Sequence, residues 1–124
     1  MEEKVCFDTS VCIEIVKNRI DKPLERVMNS SAFLSSVTVF ELMLRTYNID
    51  AMRLFISTFE ILAFDEVAAR KASELEKMLS KEGNIISRED IFIAATAMVN
   101  NCALATLNAK DFSKINGLKL VRLR

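Results

Sequence analysis

The 124-residue chain contains no histidine. That removes the commonest general base near neutral pH, the Ser-His-Asp route to an activated nucleophile and the usual imidazole ligand of zinc. Glycine is almost as scarce, with only Gly83 and Gly117, so neither a phosphate-cradling P-loop nor a G-x-G-x-x-G dinucleotide turn can be built. The three cysteines, Cys6, Cys12 and Cys102, contain no C-x-x-C pair and form an odd set. This argues against a disulfide framework and a zinc site, and the three read as buried free thiols. No sign of charge predominates, because 17 Lys plus Arg face 17 Asp plus Glu. Without an overall positive field, any nucleic-acid contact has to be local. Met1-Glu2-Glu3-Lys4 lacks a basic leader followed by an apolar stretch, and the longest apolar run, near residues 91–99, is far too short to span a bilayer. A soluble, cytoplasmic protein without membrane contact is the expectation.

What is present is apolar side chain in quantity: 51% of the residues are hydrophobic, enough for a real core. Short apolar runs alternate with longer segments of helical period, the pattern of an α/β chain with a mainly parallel central sheet flanked by helices. Strands are expected at 4–7, 33–35, 60–63, 103–106 and 119–121. The clearest helix begins at Asp65, places Ala68, Ala72, Leu75 and Leu79 at spacings of four, three and four, and stops before Gly83. Further helices are expected at 9–17, 39–46, 52–58 and 89–100, with a short turn of helix after Lys110. Pro23 and the Asn116-Gly117 pair read as punctuation between elements. No repeat or linker divides the chain, so residues 1–124 are expected to form a single domain.

Four acids can reach one edge of such a sheet. Asp8 ends the apolar run Val5-Cys6-Phe7, at the carboxyl end of the first strand, where ligands of open parallel sheets bind. Asp111 lies five residues beyond the strand ending at Thr106. Glu41 follows the 33–35 strand, and Asp90 opens the helix that feeds the 103–106 strand. Each acid also stands where a helix cap would want one. Ser87-Arg88-Glu89-Asp90 and Thr38-Val39-Phe40-Glu41 both have capping-box spacing, and Asp8 can itself be an N-cap. Capping explains the acids one at a time; it does not explain why they collect at one edge. Clustered carboxylates repel one another unless protons or cations neutralise them, and hard oxygen donors without sulfur or imidazole suit Mg²⁺ or Mn²⁺.

Phe7-Asp8-Thr9-Ser10-Val11, Ser36-Val37-Thr38-Val39-Phe40-Glu41-Leu42, the run from Asp90 through Ile91-Phe92-Ile93-Ala94-Ala95-Thr96 to Ala97, and Thr106-Leu107-Asn108 leading to Asp111-Phe112 together resemble the signatures of the PIN-domain ribonucleases. In order and spacing they are most similar to VapC-type toxins, and Asn116-Gly117-Leu118-Lys119, entering a final strand, is similar as well. The resemblance covers nearly the whole chain. It implies a three-layer PIN-like fold and a metal-dependent endoribonuclease that cleaves RNA by a metal-activated water. Asp8, Glu41 and Asp90 correspond to the family's metal-binding acids, Asp111 to the less uniform fourth position, and Asn108 to a polar helper. Thr9, Ser10 and Thr106 are candidates to hydrogen-bond the acids or a metal-held water, or simply to satisfy backbone groups. Glu14, Asp65 and Glu89 read as surface or capping acids; Lys110 and Arg88 read equally as phosphate contacts or solvated charge. The implied partners are an RNA substrate, a small cognate antitoxin and a second copy of the chain. The homodimer is expected from the aromatic and Met side chains of segments 42–47 and 52–59. Two other readings stay open: a PIN-fold RNA-processing nuclease without an antitoxin, and a catalytically inactive PIN-like interaction module. The small size without an appended domain favours the toxin over the processing nuclease.

Overall fold

The structure, a computed structural model, describes residues 3–45 and 48–123. Five strands, β1 (Lys4–Phe7), β2 (Ser31–Ser35), β3 (Glu60–Leu62), β4 (Ala103–Thr106) and β5 (Leu120–Arg122), form one sheet in the order β3-β2-β1-β4-β5. Every pairing is parallel. The seven helices are α1 (Thr9–Val16), α2 (Lys22–Met28), α3 (Ser36–Met43), α4 (Ile49–Ser57), α5 (Glu66–Lys81), α6 (Arg88–Val99) and α7 (Ala109–Phe112). No helix among the described residues is long and apolar enough to cross a membrane.

Strand alternation divides the apolar residues into two half-cores, one on each face of the sheet. Cys6, Phe33 and Leu104 face α5 and α6, where Ala72, Leu75, Leu79, Ile91 and Ala94 meet them. Val5, Phe7, Leu34 and Ala105 face the other way, against Val11 and Cys12 of α1, Leu24 and Val27 of α2, Leu42 of α3 and Met52 of α4. All three cysteines are free and buried. Burial pushes the Cys6 thiol up to about 12, so it is a core hydrophobe rather than a nucleophile.

The α5 stripe is as its periodicity predicts: Ala68, Ala72, Leu75 and Leu79 are the buried residues, and Asp65 caps the helix by accepting from the Ala68 N–H at 3.0 Å. Helix α6 has no stripe, because Ile91, Ile93, Ala94, Ala95, Thr96 and Ala97 are buried around most of its circumference. Three expectations change. The connection around Pro23 is instead a helix, α2, with Asp21 as N-cap accepting from the Leu24 N–H. Proline is well tolerated in a first turn, where its missing N–H has no intrahelical partner to lose. The helix expected at 39–46 begins three residues earlier, because Ser35 rather than Thr38 caps it; Thr46 and Tyr47, at its expected end and within the segment expected at the dimer contact, lie outside the described residues. The aromatic surplus of segment 52–59 is core: Phe55 and Phe59 stack at 4.9 Å, and Phe59 meets Phe7 edge-on at 5.5 Å.

Candidate active site

From β1 the chain steps through β2 to β3 in one direction, then crosses back to β4 and β5 on the other side of β1. Between β1 and β4 the direction of progression reverses, and it is outside the carboxyl ends of such a strand pair that open α/β sheets bind their ligands. Asp8 follows the last residue of β1 and Thr106 is the last of β4. The Asp8 N–H donates to the Ala105 carbonyl, which extends the ladder by one residue and fixes the carboxylate at the crevice.

Asp8 is 4% exposed. Its Oδ1 accepts from the Ser10 hydroxyl at 2.7 Å and the Val11 N–H at 3.0 Å, and its Oδ2 accepts a short hydrogen bond from the Thr106 hydroxyl. It is therefore the N-cap of α1 and a buried carboxylate at the switch point at once. Burial dominates its ionisation and raises its pKa, although all of these donors favour the charged form. The surroundings are tied together further: Ser10 Oγ accepts from the Leu107 N–H and Thr106 Oγ1 from the Asn108 N–H. The tip of β4 is thereby laced to the start of α1.

Glu41 lies in the second turn of α3 and accepts from the Thr9 hydroxyl. Ser35 caps that helix through the Val37 N–H, so the capping-box reading of Thr38 and Glu41 fails and capping does not account for Glu41. For Asp90 the capping reading holds: Ser87 caps α6 and accepts from the Asp90 N–H at 3.2 Å. Capping is not the whole account, however. The half-buried Asp90 carboxyl is pushed up to about 6, chiefly by burial, with the negative charges of Asp8, Glu41 and Asp111 adding to the rise and the Ser87 hydrogen bond opposing it. All four acids thus share one electrostatic neighbourhood. Asp111, in α7, accepts from Asn108 Nδ2 at 3.0 Å and pairs with Lys114 at 3.7 Å.

Other expectations sort cleanly. Thr9, Ser10 and Thr106 all donate to acids of the group, and Asn108 does help Asp111. Arg88 is turned away, engaged at 2.9 and 3.1 Å by Glu76 of α5. Glu14, expected as a surface or capping acid, is instead largely covered, its side chain 16% exposed, and pairs with Arg19 at 3.5 Å. Sequence reasoning passed over Lys114, whose signal was its i,i+3 spacing from Asp111. It also misread Thr38, a fully buried residue whose hydroxyl has no hydrogen-bond partner.

Among the described residues no three Asp, Glu or Cys side chains are gathered closely enough to hold one ion as they stand. Like charges spread apart when each has a local donor, and here Glu41 leans to Thr9 while Asp111 leans to Asn108. The donor chemistry nevertheless fits a hard divalent cation. The groups are carboxylate oxygens, their mutual repulsion is already visible in Asp90, and an orphaned buried hydroxyl lies on the helix that carries Glu41.

The PIN domain family model matches residues 5–118. A ribonuclease VapC1 of Methanocaldococcus jannaschii is 30% identical over 122 residues, covering 96% of this chain and 88% of that protein. A tRNA(fMet)-specific endonuclease VapC of Shigella flexneri is 26% identical over 125 residues, covering 94% of this chain and 95% of its own. The crystal structure of DNA-bound VapBC from Salmonella typhimurium superposes with a TM-score of 0.85 at 26% identity, over 95% of this chain and 96% of the other. With the acids at the switch point of a wholly parallel sheet, the fold and the sequence agree: the chain belongs to the PIN-domain family.

Proposed function

We infer that the protein is an endoribonuclease, the VapC-type toxin of a toxin–antitoxin pair, acting in the cytoplasm on RNA with Mg²⁺ or Mn²⁺ held by Asp8, Glu41, Asp90 and Asp111. The observation that carries this reading is the shared field of the four acids in a chain of this family: burial pushes the Asp90 carboxyl up to about 6, and the charges of Asp8, Glu41 and Asp111 add to the rise. When bound, such a cation lowers the pKa of a water and offsets charge developing on the phosphorane-like transition state. The protein's own contribution is positional. Ser10, Val11 and Thr106 clamp the Asp8 carboxylate from both sides, Thr9 orients Glu41, and Asn108 orients Asp111. Lys110 is exposed beside Asp111 and is available to an RNA phosphate.

The relatives' names support the ribonuclease assignment, and the similarity to a VapBC complex supports a small antitoxin partner. A short upstream reading frame for a DNA-binding protein is the simplest check on that partner. A homodimer is favoured by the exposed apolar side chains Phe40 and Leu44 of α3 and Leu54 of α4, at 57%, 65% and 71%. A monomeric mass in light scattering at tens of micromolar, roughly the range in which ordinary interfaces form, excludes it. The decisive experiment incubates purified protein with single-stranded RNA in Mg²⁺ or Mn²⁺ and again in chelator. Cleavage that survives chelation, or survives in the Asp8→Asn/Asp90→Asn double variant, overturns the assignment.

A further inference from the structure

Among the described residues the buried polar ones are Asp8, Ser35, Thr38, Thr96 and Thr106. Asp8 follows β1, Ser35 ends β2 and Thr106 ends β4, while Thr38 lies in the first turn of the helix leaving β2 and Thr96 packs from α6 onto Ser35. Asp8, Ser35 and Thr106 thus stand at the carboxyl ends of three neighbouring strands, and Thr38 and Thr96 lie on the helices that carry Glu41 and Asp90. Four of them are satisfied: Asp8 by its donors, Ser35 by the Val37 N–H, Thr96 by donating to the Phe92 carbonyl at 2.7 Å, and Thr106 by Asp8 and the Asn108 N–H. Among the described residues Thr38 Oγ1 is the buried side-chain oxygen without a partner.

The contrast between the two threonines has a structural cause. Thr96 sits in the body of α6, so the carbonyl four residues back points along the helix at its hydroxyl. Thr38 is the third residue of α3, and four residues back the chain is still in β2 at Leu34. The ordinary escape for a helical threonine is closed. An unmade hydrogen bond on a fully buried hydroxyl destabilises the protein, and valine would fill the same volume without that cost. Packing alone therefore does not account for threonine at this position.

Glu41 is three residues further along the same helix, a spacing that leaves Cβ atoms about 5–6 Å apart on one face. Its Oε1 is engaged by Thr9, and a carboxylate has further lone pairs to offer. We propose that Thr38 is a positioning residue of the acid site, its buried hydroxyl reserved as a donor to the Glu41 carboxylate when the four acids draw in around a divalent cation. This rests on the metal-dependent reading of the site given above. The orphan state belongs to the spread arrangement of the acids, and closure on a cation supplies the acceptor.

The test uses the full chain and Mn²⁺ alone, read by thermal melting in chelator and across a metal titration for wild type, Thr38→Val and Thr38→Ser. Thr38→Val is expected to melt at or above wild type in chelator. It should also need about tenfold more Mn²⁺ for the same rise in Tm, the loss expected for a hydrogen bond to a charged group. Thr38→Ser keeps the donor, so it should melt lower in chelator while its Mn²⁺ response stays within about twofold of wild type. A purely structural threonine moves apo stability and leaves the metal response alone, so equal Mn²⁺ responses in wild type and Thr38→Val overturn the proposal. Should Thr38→Val not fold, Thr38→Ala against Thr38→Ser makes the same comparison of hydroxyl absent and present, and equal responses again overturn it. Wild type that does not respond to Mn²⁺ overturns the metal reading itself and this proposal with it, an outcome distinct from the other two.

Discussion

The two ends of the sheet carry charge in different ways. At the amino ends of the strands, Glu3, Lys4, Lys71 and Lys119 line a cavity of about 440 Å³ that Cys102 closes from below. Two of its lysines are paired, Lys119 with Glu3 at 3.4 Å and Lys71 with Glu74 at 3.7 Å, and Lys4 lies 5.7 Å from the centre of the Phe33 ring. At the carboxyl ends acids predominate: Asp8, Glu41, Asp90 and Asp111 share one field, with Lys114 paired to Asp111 at 3.7 Å. Asp8 is buried, burial and acidic neighbours push the Asp90 carboxyl up to about 6, and an orphaned hydroxyl lies on the helix that carries Glu41. A cavity marks the first end and shifted carboxyl ionisation the second. Compensated surface charge costs a protein little and is worth little. Carboxylates gathered at a half-buried edge are offset by protons or by cations, which is why the carboxyl end is the one we propose as the functional site.

The largest effect should come from removing charge at the carboxyl end. The Asp8→Asn/Asp90→Asn double variant is expected to lose at least about 100-fold in RNA cleavage under Mn²⁺ while keeping a cooperative melt, by analogy with the several kcal/mol a catalytic cation supplies. Comparable loss in a Lys119→Met variant would erase the distinction between the two ends. Next in size, Asp8→Ala leaves three donors without an acceptor, the buried ones of Val11 and Thr106 and the half-buried one of Ser10, and should destabilise the apo protein by about 2–3 kcal/mol in denaturant unfolding. Asp8→Asn, which retains an acceptor oxygen and is still a good N-cap, should cost clearly less.

Smaller again is a pH effect. Asp90 has a folded pKa of about 6 against an ordinary value of 3.8, so the folded state binds the proton more tightly than the unfolded one. Its contribution to stability is present below about pH 4 and is lost as pH rises through 6, by the linkage between proton binding and folding. Because the group is half-exposed, the loss should be on the order of 1 kcal/mol rather than the full conversion of the shift. Melting across pH 4–7 in chelator should show this slope in wild type, and it should flatten in Asp90→Asn; an unchanged slope removes Asp90 from the strained group. Smallest of all, Lys119→Met breaks an exposed ion pair at the other end and should move stability by no more than about 0.5 kcal/mol.

Much of this was legible in one dimension. The α5 stripe follows from apolar spacing with a capping aspartate before it, because helix period and cap chemistry are local properties of the chain. Strands β1 and β4 have the bounds their apolar runs predict. Asp8, Glu41 and Asp111 were candidates by type and by position after strands, and Asp90 by its place at the opening of the helix that feeds β4. Helix α2 was not legible, since a Lys-Pro start with Leu24 and Val27 as its buried residues looks like a connection until the face it covers is known. Nor was the fate of the capping boxes: Ser87 caps α6 as its spacing suggests, whereas Thr38 has the same spacing and is buried one turn inside α3.

Sequence by itself determined most of the elements and the inventory: an apolar α/β chain without histidine, whose carboxylates at strand and helix ends are the groups proposed here to hold a hard cation. Tertiary structure alone decided which charges meet. It set β1 beside β4, so that residues 98 apart in the chain, Asp8 and Thr106, share a hydrogen bond. It also turned Arg88 away to Glu76 and left Thr38 without an acceptor. The physical reason is range: helix period, capping and strand alternation act within a few residues, while burial, Coulomb repulsion and hydrogen-bond satisfaction depend on neighbours that only the folded sheet brings together.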